Sequence, residues 1–361
     1  MTEIIRINPT DPEINRVIRA AKVIREGGTV AFPTETVYGL GANGFDPAAC
    51  RRIFEIKGRP ADNPLILHIL GPGWLDRVAG EVGGRAMEFA EKAWPGPITL
   101  VLKKNAKVPG VVTAGLDTVA IRCPAHRIAL ELIEYSGVPI AAPSANLSTK
   151  PSTTRFEHVV DDLDGKVDVI IDGGDATFGV ESTIINMTVE PPVLLRPGAF
   201  TVEELEKHLG RIMVPEAVNR TATDGEVAIA PGMKYRHYAP DKMLVLANDS
   251  TILRGAAMMA ADMDDPIAIL CSSETANSLM KSIKLRNISV IILGSEGNLY
   301  EVARNLFDAF RALDETSAKM GIVQKFDDKG IGMAIMNRIS KATGNSAIEK
   351  LGDLKGMLEA Q

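Results

Sequence analysis

The sequence predicts an α/β protein in which a larger domain is followed by a smaller one, and three observations support this. The chain has 361 residues, whereas a domain usually has roughly 100–200. Helical and extended hydrophobic patterns alternate along the chain, as is typical of α/β folds. Most predicted strands end in Gly, Pro, Ser or Thr, a composition expected where an α/β sheet places its binding sites.

The first domain begins with an amphipathic helix over 13–26, which ends at Gly27-Gly28. The Asp46-Pro47 pair predicts the start of a second helix, an N-cap followed by proline, and Gly58 predicts its end. Further helices are predicted at 84–93, 125–136 and 202–209. Short apolar runs between them predict strands at 29–33, 65–70, 98–103, 119–122, 139–142, 167–172, 182–187 and 193–196.

The stretch 211–240 has little periodicity and ends in the aromatic and basic run PGMKYRHYAP at 231–240. It is either a linker or a functional loop, and the dense aromatic and basic side chains favour the functional loop. Strands at 243–247, 267–270 and 288–293, with helices at 251–262 and 298–313, predict a smaller doubly wound unit. We therefore expect domains at 1–210 and 241–361 with 211–240 between them. The glycine turns at 294–297 and 330–334 are expected to be structural.

Composition and charge exclude several classes of protein. Hydrophobic residues make up 45% and charged residues 24% of the chain, which is ordinary for a globular protein. The net charge is −6, and 22 basic against 27 acidic side chains up to residue 210 give that part −5. A dedicated nucleic-acid binder usually carries a basic domain, so weak or no direct binding of nucleic acid is expected.

Cysteine usage and the N-terminus predict the compartment. Cys50, Cys123 and Cys271 are widely spaced and form no metal or disulfide motif, so buried thiols in a reducing compartment are expected. Residues 1–10 lack the layout of a signal peptide, and no apolar run approaches the roughly 18 residues of a membrane span. These features favour a cytoplasmic protein without a membrane partner.

Two clusters of residues that could take part in binding or catalysis lie in the first 70 residues. Residues 32–41, FPTETVYGLG, combine hydroxyls, a carboxylate and two glycines after a strand. They form either part of a functional site or a purely structural Thr-rich turn. Residues 57–65, KGRPADNPL, place two cations around a glycine. Either the two cations bind a polyphosphate, or Lys57 complements the dipole at the helix C-terminus and Arg59 is solvated. His68 follows within an apolar strand and is either a ligand or a satisfied core histidine.

Two further clusters complete the set. Arg122 ends the apolar strand VAIRC, a position that favours recognition of a carboxylate or phosphate. Small hydroxyl residues and glycines follow other strands at 142–148, 152, 179–183 and 195–198, and such groups commonly build anion or nucleotide pockets. Residues 39–44 match GxGxxG by chance, since no helix opens there, and no GxxxxGK[ST] or GxSxG motif is present.

Taken together, these clusters resemble the threonylcarbamoyl-adenylate synthase family, whose catalytic unit is the YrdC-like domain. The matching segments, in order, are PTETVYGLGAN (33–43), KGRPADNPL (57–65), WPGPITLVL (94–102), VAIRCP (119–124), PSANLS (143–148), ESTI (181–184) and LLRPG (194–198). The segment PGMKYRHYAP and the α/β tail resemble the long, two-domain form. The resemblance implies a twisted mixed-sheet catalytic domain and a smaller Rossmann-like C-terminal domain. YrdC-like domains also occur in carbamoyl transferases of hydrogenase maturation, but this chain lacks the cysteine pairs of their zinc fingers.

The resemblance implies a nucleotidyltransferase that joins L-threonine, bicarbonate or CO2, and ATP into threonylcarbamoyl-AMP and releases pyrophosphate. The product would pass to the tRNA threonylcarbamoyl transferase, which modifies the adenosine next to the anticodon. ATP is implied as a substrate, with Mg²⁺ held mainly by its phosphates because no carboxylate cluster is evident, and no protein metal ligand is expected. The alternative from another class is an RNA-binding module acting on tRNA or ribosomal RNA through the same cations.

The resemblance also implies roles for individual residues. The threonine site would consist of Thr36, His68, Arg122, Ala142 and Ser182, with Arg122 on the carboxylate. The catalytic residues would be Lys57 and Arg59, which with Asn63 would hold the triphosphate. The remaining ATP ligands would be Thr118, Ser144, Asn146, Ser152, Arg196, His237 and Tyr238. The last two, with Tyr235 less directly, would let the 211–240 segment close over the nucleotide as a lid.

Overall fold

A computed structural model shows a mixed α/β protein that divides into two units. It describes residues 1–216, 237–261, 265–283, 287–350, 352–353 and 356. The first unit contains the described residues up to 216 except 149–151, which group with the second unit and the chain from 237 onwards. The predicted α/β class is confirmed, with a large mixed sheet in one unit and a parallel sheet in the other.

The first unit is built on a ten-stranded sheet. Its strands are β1 (Glu3–Arg6), β2 (Val30–Phe32), β3 (Gly39–Asn43), β4 (Ile66–His68), β5 (Ile98–Lys103), β6 (Thr118–Arg122), β7 (Ile140–Ala141), β8 (Val169–Asp172), β9 (Thr183–Asn186) and β10 (Val193–Arg196). Their order across the sheet is β1-β8-β2-β3-β7-β4-β6-β5-β9-β10. Parallel and antiparallel neighbours alternate irregularly, so strand ends from distant parts of the sequence meet at one edge.

Eight helices of the first unit accompany this sheet. They are α1 (Ile14–Arg25), α2 (Pro47–Lys57), α3 (Leu75–Val78), α4 (Gly84–Ala93), α5 (Gly110–Thr113), α6 (Arg127–Ser136), α7 (Phe156–Leu163) and α8 (Val202–Leu209). The apolar faces of α1 and α6 pack with strands β2, β7 and β8 into one core cluster. This core fixes the strands whose ends carry the candidate site.

Helix α2 follows its sequence pattern closely. The Asp46 carboxylate accepts hydrogen bonds from the Ala48 and Ala49 amides, at 2.8 and 3.2 Å, and Pro47 occupies the first helical position. Gly58 ends the helix in the left-handed conformation with φ of 60°. Lys57 is therefore held in the last turn of a helix with both ends defined.

The second unit has a parallel sheet. Its strands are β11 (Met243–Ala247), β12 (Ile267–Ser272), β13 (Ile288–Gly294), β14 (Met320–Gln324) and β15 (Ala347–Ile348), and its helices are α9 (Ser250–Ala261), α10 (Ser273–Ser282), α11 (Leu299–Glu315) and α12 (Ile331–Thr343). The strand order is β13-β12-β14-β11-β15, and each strand pairs with its neighbours in parallel. This arrangement is the Rossmann-like unit that the resemblance implied.

Several elements differ from the sequence predictions. The strands β1, β3, β14 and β15 and the helices α3, α5, α7, α10 and α12 were absent from those predictions. The glycine turns behave structurally, since Gly330 is the N-cap residue of α12 and the Glu296 carboxylate accepts hydrogen bonds from Ser272 and Gln324. The 39–44 glycine motif lies on strand β3 and opens no helix.

The three cysteines are buried and free, and burial raises the pKa of each thiol to about 12. The sequence prediction of buried thiols is confirmed, and a buried thiol with a raised pKa is weakly reactive. Among the helices of the described ranges, none has the length and hydrophobicity needed to cross a membrane.

Candidate functional site

The centre of the candidate site is Arg122, which ends strand β6 and is almost completely buried. Its Nη1 donates to the Thr36 hydroxyl at 2.8 Å, and its Nη2 lies 2.7 Å from a carboxylate oxygen of Glu35. Both partners belong to the turn between β2 and β3, so the predicted PTETVYGLG cluster meets the predicted VAIRC strand. A buried guanidinium with unused donors is a receptor for a carboxylate or a phosphate.

His68 and Thr99 flank Arg122 on the two neighbouring strands. Strand register places His68 beside Arg122 on the parallel strand β4 and Thr99 beside it on the antiparallel strand β5. Burial, with the adjacent charge of Arg122, lowers the pKa of His68 to about 3, so its imidazole is neutral at physiological pH.

The His68 ring packs edge-on against Phe32, with centroids 6.1 Å apart. Its buried Nδ1 has no hydrogen-bond partner among the described residues. The ring is thus packed within the core, and a ligand role for His68 stays a proposal.

Ser182 connects this centre to Arg196. The Ser182 hydroxyl lies 2.8 Å from the Thr99 hydroxyl, and Arg196 donates from Nε and Nη2 to the Ser182 carbonyl at 3.1 and 2.9 Å. The backbone at Gly198 approaches this segment so closely that a Cβ there would lie 2.3 Å from the Thr183 nitrogen. Only glycine fits this position, so the ESTI and LLRPG segments form one packed unit.

Lys57 forms a second cationic centre at the end of α2. Its ammonium donates to the carbonyl oxygens of Ser144, at 2.7 Å, and Asn146. Burial, followed by the charge of Arg59, lowers its pKa to about 7, although Asp162 and Glu181 act in the opposite direction. The side chain thus contacts the PSANLS segment, and its role in holding a ligand stays a proposal.

Arg59 and Asn63 shape the loop after α2. The Arg59 guanidinium, which is half-buried, donates to the Asn63 carbonyl at 3.1 Å and lies 5.9 Å from the Phe54 ring. The Asn63 side chain is fully buried, and neither its oxygen nor its nitrogen has a hydrogen-bond partner in the described part of the chain. A buried amide with both groups unsatisfied is expected where a ligand supplies the partners.

The remaining predicted residues divide into near and distant ones. The Ser152 hydroxyl donates to the buried carboxylate of Glu181, next to Ser182. The Ala142 amide donates to the Ile66 carbonyl at 2.9 Å. Thr118 begins strand β6, four residues before Arg122 and thus roughly 13 Å from it along the strand.

His237 and Tyr238 belong to the second unit. The Tyr238 ring is buried, stacks on Phe307 at 5.1 Å and has the Arg338 guanidinium 5.6 Å from its centroid. The His237 ring lies 5.6 Å from the Tyr238 ring. Tyr235 and most of the 211–240 segment lie outside the described residues.

Sequence reasoning missed four polar residues of this region. They are Glu35, Thr99, Asp162 and Glu181, which contact or face Arg122, Ser182 and Lys57. Glu35 and Glu181 lie inside the quoted motifs. Each is an acidic residue at an otherwise apolar or hydroxyl-rich strand end, and this could have identified them as site residues from the sequence. Over the described ranges, no cluster of His, Cys, Asp and Glu side chains is arranged to hold a metal ion.

The geometry describes two buried cationic centres, Arg122 and Lys57, and among the described residues the side-chain polar atoms of Glu35 and Asn63 are buried without a hydrogen bond. Two sequence-family models match the chain. One, Sua5_yciO_yrdC, described as "Telomere recombination", matches residues 22–198. The other, described as "Threonylcarbamoyl-AMP synthase, C-terminal domain", matches residues 200–344.

Individual relatives are similar over nearly their whole length. A threonylcarbamoyl-AMP synthase of Pyrococcus abyssi is 48% identical over 91% of this chain and 94% of its own. That of Bacillus subtilis is 43% identical over 95% and 96%. The crystal structure of P. abyssi Sua5 complexed with L-threonine superimposes with a TM-score of 0.89 and 46% identity, covering 96% of this chain and 99% of that one.

Proposed function

This chain belongs to the threonylcarbamoyl-AMP synthase family, and from that membership we infer its reaction. It is a nucleotidyltransferase that joins L-threonine, bicarbonate or CO2, and ATP into threonylcarbamoyl-AMP and releases pyrophosphate. The product supplies the threonylcarbamoyl modification of the tRNA adenosine next to the anticodon. The observation that carries this conclusion in the structure is the pair of buried cations, Arg122 and Lys57.

The threonine half of the reaction would take place around Arg122. The guanidinium binds the threonine carboxylate, while the neutral imidazole of His68 offers an acceptor for the substrate hydroxyl or amine. Thr36, Ser182 and the Ala142 carbonyl complete the ring of donors and acceptors. The amine then captures CO2 as a carbamate, and a carbamate oxygen attacks the α-phosphate of ATP.

The nucleotide half would use the second cationic centre. Lys57, Arg59 and the partnerless Asn63 amide hold the triphosphate, and Thr118, Ser144, Asn146, Ser152 and Arg196 line the rest of the site. No protein nucleophile is needed, because alignment of two anions and neutralisation of phosphate charge provide the catalysis. Mg²⁺ would enter with ATP as part of the substrate, held mainly by phosphates and water.

The decisive experiment measures pyrophosphate release from ATP with L-threonine and bicarbonate each present or omitted. Release that requires both supports the assignment, whereas release without threonine identifies plain ATP hydrolysis and contradicts it. Two variants separate the half-sites. Arg122→Ala should impair the use of threonine more than ATP binding, and Arg59→Ala should do the reverse, so equal losses in both would show that the two sites are misassigned.

We also propose the wider organisation of the enzyme. Residues 1–210 form the catalytic domain, 241–361 form the C-terminal domain, and 211–240 with His237 and Tyr238 close over the nucleotide as a lid. Ending the chain at residue 210 should then raise KM for ATP or abolish synthesis, and unchanged kinetics would exclude the lid. The protein would act in the cytoplasm and pass its product to the tRNA threonylcarbamoyl transferase without strong nucleic-acid binding of its own.

A further inference from the structure

Glu35 is a buried carboxylate that the proposed mechanism leaves without a role. Its side chain is 5% exposed and that of Arg122 is 4% exposed, and Oε1 of Glu35 lies 2.7 Å from Nη2 of Arg122. The two charges therefore compensate each other inside the first unit. A buried charge pair of this kind is stable only when its remaining hydrogen-bonding capacity is also satisfied.

That capacity is not satisfied within the described ranges. Both carboxylate oxygens of Glu35 lie buried without a hydrogen bond, the short contact to Arg122 being an ion pair with poor hydrogen-bond geometry. On Arg122, Nη1 donates to Thr36, whereas Nε and Nη2 make no hydrogen bond. The Nε donor of Arg122 and the Oε2 acceptor of Glu35 therefore belong to one buried ion pair, and neither atom has a partner among the described residues.

An α-amino acid supplies both missing partners from one carbon atom. Its carboxylate fits the Nε and Nη2 edge of a guanidinium in a bidentate manner. Its ammonium group is attached to the adjacent carbon and carries three hydrogens for acceptors. A zwitterion bound to Arg122 in this way would present its ammonium beside the Glu35 carboxylate.

We propose that Glu35 accepts a hydrogen bond from the α-ammonium group of the substrate, so that Arg122 and Glu35 together recognise the zwitterion of threonine. This inference rests on the proposed function, because it takes threonine as the occupant of the Arg122 pocket. The remaining ammonium hydrogens go to the Ala142 carbonyl and Ser182. The pair and the zwitterion are each neutral, so the bound complex buries no unbalanced charge.

The arrangement makes a selectivity prediction. A hydroxy acid without the amino group, such as (R)-3-hydroxybutyrate, would bring its carboxylate to Arg122 but leave Glu35 unpartnered. Like charges in a buried site disfavour each other. The wild-type protein should therefore bind L-threonine far more tightly than (R)-3-hydroxybutyrate, and Glu35 should be the origin of the difference.

The test measures dissociation constants of both ligands by isothermal titration calorimetry on the full chain. Glu35→Gln should weaken the binding of threonine by about 10- to 100-fold, which is the loss of affinity expected when a hydrogen bond between charged groups is removed. The affinity for (R)-3-hydroxybutyrate should stay the same or increase. The matched control is Glu131→Gln, since Glu131 is paired with Arg127 at 3.2 Å on α6 and should leave both constants unchanged.

The proposed role of Glu35 would be overturned if Glu35→Gln lost affinity equally for both ligands, or if it bound threonine as tightly as the wild type. If that variant does not fold, Glu35→Asp replaces it. The shorter side chain should weaken the binding of threonine more than the binding of (R)-3-hydroxybutyrate. Failure of the proposed function is seen separately, as pyrophosphate release by the wild-type protein that does not depend on threonine.

Discussion

Binding of ATP should take up a proton at Lys57. Burial lowers the pKa of Lys57 to about 7 in the free protein. At pH 8 its amine is therefore only about one-tenth protonated, by the ordinary titration relation. A triphosphate beside it favours the charged form. If the bound amine is fully protonated, ATP binding takes up about 0.9 proton at pH 8 and about half a proton at pH 7.

The sign of the linked stability change follows from the same pKa. The unfolded chain has the ordinary lysine pKa of 10.5, so between pH 7 and 10.5 it binds more protons at this site than the folded protein. The contribution of Lys57 to the free energy of unfolding therefore rises with pH over that window. Because charged Lys57 binds the phosphates, ATP affinity should fall over the same window.

The assay is calorimetric titration with ATP, in the absence of threonine, in HEPES and Tris at pH 8. These buffers differ in heat of ionisation, so the change in observed heat gives the number of protons taken up. Lys57→Arg should abolish the uptake, because arginine stays protonated in both states. Arg59→Lys is the control, since a half-exposed cation should change affinity and not proton number. No uptake by the wild type, or equal uptake by Lys57→Arg, would refute the reasoning.

Stability predictions for four substitutions follow from local contacts. Asp46→Ala removes both capping bonds of α2 and should cost about 1 kcal/mol, seen as a Tm lower by about 2–4 °C. Gly198→Ala places a Cβ 2.3 Å from backbone and should cost at least about 1–3 kcal/mol and weaken threonine binding. Gly84→Ala, with nothing within 4 Å of its Cβ, should stay within about 1 kcal/mol of wild type. Tyr238→Ala removes the stack on Phe307 and should destabilise the second unit by about 3 kcal/mol or more, measured by denaturant unfolding.

Helices and strands whose ends are marked by capping or turn residues were predictable from the sequence. Helix α2 begins at Asp46 and ends at Gly58 as predicted, because a cap and a left-handed glycine act on the chain locally. Helix α8 and strands β5 and β10 also have the predicted bounds. In each case the hydrophobic period and the end residues indicated the same element.

Strand β3 was missed because its cause is tertiary. The sequence GLGAN has no apolar alternation and resembles a turn, yet it pairs with β2 and β7 inside the sheet. A Cβ at Gly41 would lie 2.7 Å from both the Phe32 ring and the Ile140 side chain. The glycine allows close approach of a neighbouring strand, and that neighbour is unknown from sequence.

Helix α12 was missed for a related reason. It buries polar residues as well as apolar ones, including Asn337, Arg338 and Lys341, so no apolar stripe appears in the sequence. The residue types of the candidate site were likewise predictable, whereas their pairing was not. Glu35 and Arg122 are distant in the chain, and only the fold brings their charges together.

The way in which the site holds its cations explains how an acidic protein can serve anionic substrates. Lys57, Arg122 and Arg196 are at most 5% exposed, and each already contacts an acceptor of the protein itself. Cations buried and compensated in this way project little field into solvent, so residues 1–210, with 22 basic and 27 acidic side chains, would attract RNA only weakly at long range. A small anion that enters the pocket can exchange with, or add to, the protein's own acceptors at short range. On the proposed function, selectivity for threonine and ATP over nucleic acid would therefore follow from where the cations lie and not from how many there are.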